Sequence, residues 1–154
     1  MPTITIYFIR SGMIFFALSM LTGVEMAASQ SGLISAPVVM VRPLFWHFLL
    51  VGWITQIIMG VSIWMYPRRR KAGSSQRGSE NTARLAFTGI NFGLVLRAAT
   101  EPMAFGAAYS ESRLIAWGLV LSALLQLGGG LAYVIAIWPR VKGKRKRSAK
   151  RGKK

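Results

Sequence analysis

RPLFWHFLLVGWITQIIMGVSIWMYPR, residues 42–68, reads as one helix built to cross a bilayer. Between Leu44 and Tyr66 its one ionisable group near neutrality is His47. About 20 mostly apolar helical residues cover the ~30 Å of a bilayer's hydrocarbon. Proline marks both ends. Pro43 sits near the start, where a missing N–H is tolerated, and Pro67 cannot continue the ladder. Inside lipid every backbone N–H and C=O must be paired internally, which leaves helices or closed barrels. The run does not alternate apolar and polar residues, so a barrel strand is excluded.

Three more stretches of this kind lie outward from it, at 6–28, 85–102 and 114–138. The expected fold class is all-α: an integral membrane four-helix bundle over residues 1–138, followed by a disordered polybasic cytoplasmic tail, 139–154. Pro139 ends the last span as Pro67 ends the second. Residues 1–28 resemble a signal peptide in their small residues Ala27, Ala28 and Ser29, but their apolar run is longer than a usual signal core. The chain has no cysteine. Disulfides, thiolate nucleophiles and cysteine-held zinc or iron–sulfur clusters are therefore excluded.

The formal charge of +16 is concentrated in two places. Arg68, Arg69, Arg70, Lys71, Arg77 and Arg84 lie between the second and third stretches, and ten Lys and Arg follow Trp138. Cytoplasmic loops collect Lys and Arg. Both basic segments lie on one side if two spans separate them, so both termini are expected in the cytoplasm. In a bacterium the host is then the inner membrane. Two patches of this kind report topology and argue against a nucleic-acid surface. The tail is expected to meet anionic lipid, at ~1 kcal/mol per cation near the surface. Gly73, Ser74 and Ser75 make the inner loop a flexible linker. Trp64, Tyr66, Tyr133 and Trp138 at one interface, with Trp46 and Trp117 near the other, form an aromatic belt.

Ionisable groups inside spans are costly and mark function by default. Arg10 can snorkel to the near interface. Glu25, His47, Arg97 and Glu101 all fall in the outer half, with Arg42 and Arg113 flanking. Arg97 and Glu101 are four apart and share a helix face. Two roles stay open for this outer cluster of Glu25, Glu101, Arg113 and Arg97. It ties helices together, or it is functional: Arg42 and Arg97 neutralise an anionic ligand such as haem propionates, or Glu101 handles protons near a quinone. His47 is either an interfacial hydrogen-bonding side chain or an axial ligand of haem iron. On the second span, Trp46, Trp53, Gly60 and Trp64 recur at helical spacing as one expected face. Gly52, Gln56 and Gly60 make an expected groove for close helix approach. Asn91 with Gly89 and Gly93, and Gln126 with Gly128, Gly129 and Gly130, point to similar contacts.

The stretch 42–68 resembles the second transmembrane helix of haem–copper oxidase catalytic subunits, particularly the cbb3-type and nitric oxide reductase branch. The shared features are an arginine-proline start, a histidine near the outer side, glycines in the apolar run, and an aromatic-proline exit. Residues 90–102 and 121–142 look like segments of small four-span bacterial proteins grouped as similar to oxidase subunit I. The resemblance implies that His47 is a ligand of a low-spin haem b. A full oxidase has many more spans and ligand histidines. This chain therefore lacks a copper centre and a second internal haem ligand, and catalysis of oxygen or nitric oxide reduction is not expected.

The expected function is thus a small haem-b-binding or redox-associated membrane protein using His47, with a homodimer pairing two such histidines. The alternative is a non-catalytic accessory subunit of a respiratory or photosynthetic electron-transfer complex, without its own cofactor. A transporter reading is weaker, since no polar line is expected from the outer cluster toward the cytoplasmic half. A self-contained enzyme is not expected: HExxH, GxSxG and P-loop patterns are missing, and Gly128, Gly129 and Gly130 lack a following Lys-Ser or Lys-Thr.

Overall fold

The computed structural model describes residues 1–35, 38–66, 76–105 and 112–141. The expected linker at 73–75, Glu111, and the expected disordered tail from 142 onward lie outside the described residues. Among the described residues all regular structure is helical. Helix α1 runs Thr3–Gln30. A second rod starts as α2, Val38–Trp46, continues through a π-helical segment, His47–Thr55, and ends as α3, Gln56–Met65. Helices α4, Gln76–Ala104, and α5, Arg113–Ile137, complete the bundle.

Rods consecutive in sequence run antiparallel, and Gly60 of α3 packs on Thr5 and Phe8 near the start of α1. At one end of the bundle Ser62 of α3 meets Tyr133 of α5, and Arg140, just past α5, donates to the Ile63 carbonyl. At the other end His47 faces Glu101. The start of α1, the end of α3 and the end of α5 therefore share one end.

Among the described residues, three helices are long and apolar enough to cross a membrane: Thr3–Gln30, Val41–Met65 and Arg113–Ile137. The expected span at 85–102 is helical, but its helix, α4, is not among those three. Asn91, Arg97 and Glu101 lower its apolar character. These groups face other helices, because α4 is the central element and contacts α1, α2, the π segment and α5. Its core face, Ala83, Ala86, Ile90 and Leu94, recurs every three or four residues and is buried to 2% exposure or less. Ile4, Phe8 and Phe15 of α1, with Phe48, Met59 and Ile63 of the second rod, complete that core.

The outside of the bundle is as apolar as its inside. Met13, Ile14, Leu21, Val24, Ile58, Phe92, Val95, Leu124, Leu127 and Ile135 are all exposed. Water does not tolerate continuous apolar surfaces of this extent, whereas lipid does. In lipid, helix association comes from close packing and polar contacts, and small residues at the interface allow that approach. On α5 the buried stripe is Ser122, Gly129, Ala132 and Ala136. A Cβ on Gly129 would lie 2.8 Å from the Ile90 nitrogen and 3.0 Å from the Ala86 carbonyl oxygen, so backbone packs on backbone.

The second rod departs from its expected faces. Gly52 is buried where a Cβ would lie 2.6 Å from that of Phe15, and Gly60 is buried against Phe8. With buried Gln56 they form the expected groove. Trp46, Trp53, Gly60 and Trp64 do not form one face. Trp46 and Trp64 are exposed, Trp53 packs on Phe16 with ring centroids 4.3 Å apart, and Gly60 is covered. The π segment changes the number of residues per turn between the two α-helical ends, and α-helical spacing does not carry across it.

Candidate functional site

The site forms where α2 and the start of the π segment meet the last turns of α4. On α4, four residues separate Arg97 from Glu101, one turn apart on one face. Arg97 donates from Nε to Glu101 Oε1 at 3.0 Å. Glu101 is 3% exposed. A carboxylate so deeply placed is tolerated only with a close cation and hydrogen bonds. Arg97 supplies one such bond. The second oxygen, Oε2, is buried without a hydrogen bond and lies 3.6 Å from His47 Nδ1.

His47 is anchored from its own helix. Its Nδ1 lies 2.8 Å from the carbonyl oxygen of Pro43, four residues earlier. A carbonyl can only accept, so Nδ1 carries a proton. In the neutral ring the lone pair then belongs to Nε2. The Glu101 oxygen on the same side adds negative potential at Nδ1 and favours that tautomer. The His47 side chain keeps 26% of its surface exposed. The result is an oriented imidazole, braced at one nitrogen and open at the other. Ligating histidines have this support, a carbonyl or carboxylate on the far nitrogen that fixes the ring and raises its basicity.

The structure thus brings together three of the expected residues, His47, Arg97 and Glu101. Glu25, Arg42 and Arg113 are exposed, and no ion pair joins them to this trio among the described residues. Glu25 closes α1 on its outer surface, so charge alone did not draw it in. Two contributors have no ionisable side chain. The Pro43 carbonyl is one. The π segment, which begins at His47, is the other. Among the described residues no group of three or more His, Cys, Asp or Glu side chains could hold a metal ion. Any iron here would rest on His47 and on a ligand from elsewhere.

A second polar cluster lies deeper. Asn91 of α4 donates to Gln56 Oε1 at 3.1 Å and to the Phe87 carbonyl at 2.8 Å. The Ser11 hydroxyl of α1 donates to Asn91 Oδ1. Gln126 Nε2, near Gly93, is buried without a partner. Deeper still, Ser62 and Tyr133 share a hydrogen bond of 2.7 Å. Polar groups therefore occur beyond the outer cluster as well. They form islands at three heights rather than a line: fully buried Leu94 separates Arg97 from Asn91 along α4.

The chain matches no protein-family model, no curated protein and no solved structure. None of the comparisons links the chain to oxidase subunit I.

Proposed function

We propose that this chain is a small four-span membrane protein that holds haem b through Nε2 of His47, in a redox-associated role. The observation that carries this reading is the bracing of His47 Nδ1 by the Pro43 carbonyl and the buried Glu101 carboxylate, which leaves Nε2 as a fixed, basic ligand. The residues fit the group in a second respect. Arg97 commits Nε to Glu101 and keeps further N–H donors of its guanidinium for an anion such as a propionate. Exposed Arg42 offers another cation beside the same helix start. Haem b, when bound, supplies one-electron transfer. His47 would orient and ligate the group, Glu101 would brace the ring, and Arg97 would hold Glu101 in place.

In this reading α4 is the fourth span, its polar groups turned inward. The termini and both basic segments lie in the cytoplasm of a bacterial inner membrane, and the tail meets anionic lipid. A second ligand would come from His47 of another copy in a homodimer. The test is an absorption spectrum of protein purified from haem-supplied membranes. A Soret band that His47→Ala abolishes is expected; a colourless preparation overturns the ligand assignment. A reporter fused after the basic tail and found outside the cell would overturn the topology.

The exposed Trp46 and Trp64, with the largely uncovered surface of α5, favour a second reading. Here the bundle is an accessory subunit of an electron-transfer complex, with partner subunits covering those faces. Migration as a small, uncomplexed bundle on native gels in mild detergent would argue against it.

A further inference from the structure

We infer that the π-helical segment His47–Thr55 is the positioning element of the His47 site: it places His47 on the same side of its rod as Gln56. The rod then meets α4 at two heights, and a change of register in the segment withdraws His47 from Glu101. This deepens the proposed role of His47 and rests on that reading for its functional meaning, though its geometry stands alone.

The argument begins with spacing. His47 and Gln56 are nine residues apart. In a regular α-helix nine residues are ~2.5 turns, which puts the two side chains on opposite sides. Yet both reach α4. His47 Nδ1 is 3.6 Å from Glu101, and Gln56 accepts from Asn91 at 3.1 Å. A π-helix closes its bonds one residue later than an α-helix, so the same nine residues make about two turns and return to the same side. The π segment occupies this interval, and the rod is α-helical before and after it.

Two features hold the wider turns. Thr55 donates its hydroxyl to the carbonyl of Leu50, five residues back and 2.8 Å away, a partner at π rather than α spacing. Gly52 sits inside the segment against Phe15, where any side chain would collide, so α1 fixes the position of the segment's middle. π-Helix is rare, and its single-turn bulges inside α-helices are frequent at functional sites.

Because the chain has no cysteine, cross-linking can read this register directly. Two double variants are made in the full-length protein, His47→Cys with Glu101→Cys and Gln56→Cys with Asn91→Cys. Each is treated in membranes with a short bifunctional thiol reagent, whole, with Thr55 removed, and with Ile54 and Thr55 both removed. Removing one residue leaves positions 47 and 56 eight apart, which turns His47 by about 80°. Removing two leaves seven, about two α-helical turns, and restores alignment. The 47–101 product is expected to fall about fivefold in the single deletion and to recover in the double. The 56–91 product should persist in all three. Thr55→Val should lower the 47–101 product by about half.

An unchanged 47–101 yield in the single deletion overturns the inference. So does parallel loss of both products, which marks general unfolding, or failure of the double deletion to recover while 56–91 persists. None of these readings involves haem. A colourless protein with the expected cross-linking pattern would remove the ligand and leave the positioning role intact.

Discussion

The Ser11–Gln56–Asn91 cluster and the His47–Arg97–Glu101 cluster both join the second rod to α4, yet they handle burial differently. The deeper one is neutral. Asn91 both gives and accepts, and it links three rods through Ser11, Gln56 and the Phe87 carbonyl. The upper one is charged. It leaves a carboxylate oxygen without a hydrogen bond and keeps one histidine nitrogen open. A neutral network serves packing best when its members are satisfied by one another. A charged one that leaves capacity unspent costs stability, and it keeps a group available for a ligand.

The sharpest way to break that contrast is Arg97→Leu. It strands the Glu101 carboxylate, 3% exposed, with only His47 nearby. The expected cost is ~3 kcal/mol, since removing one partner of a buried pair leaves an uncompensated charge. Tryptophan fluorescence during unfolding in detergent would measure it. If Arg97→Leu costs no more than a change in the neutral cluster, the two clusters are alike and the distinction falls.

Asn91→Leu comes next. It removes the contacts to Gln56 and Ser11, and about 1–2 kcal/mol should be lost, the scale of polar contacts between helices in lipid. Haem absorption should be unchanged once protein amounts are equalised. Glu101→Gln is milder still for the fold, because shape and a hydrogen-bonding oxygen persist. It weakens the brace on His47, and haem retention should drop about tenfold in a titration, as for other supports of ligating histidines. Glu25→Gln should do least. Exposed substitutions away from special features stay within about 0.5 kcal/mol, and both unfolding and haem titration should match the parent protein. A large effect there would return Glu25 to the site.

Much of the fold could be read in the sequence because its causes are local. Apolar run length announces helices one at a time, although Pro43 lies inside α2 rather than at its start, and the i,i+4 spacing of Arg97 and Glu101 announces their contact. The central position of α4 was less legible. Its polar residues were counted as an outer charge cluster and a packing patch, whereas they mark the helix that touches most of the others. The approach of His47 to Glu101 joins residues 54 apart in sequence and depends on how two rods face each other. The π segment defeated the reading of the tryptophan face, because a spacing argument assumes a constant number of residues per turn. One signal was present: His47 and Gln56 are nine positions apart, an interval that no single α-helical face accommodates. For Glu25, Arg42 and Arg113, shared depth was taken as proximity. Depth fixes height along a helix axis and leaves direction around it free.

The lengths of the rods carry a consequence of their own. Helix α1 has 28 residues and α4 has 29, so at ~1.5 Å per residue each is ~42–43 Å long. Bilayer hydrocarbon is only ~30 Å thick, and an overlong helix tilts, kinks or thickens the lipid around it. If α4 spans the bilayer as proposed, its first turns, where Glu80 and Arg84 pair at 2.8 Å, would rise into the headgroup layer as a stiff collar. Such a collar would set the height above the oily interior at which α4 begins.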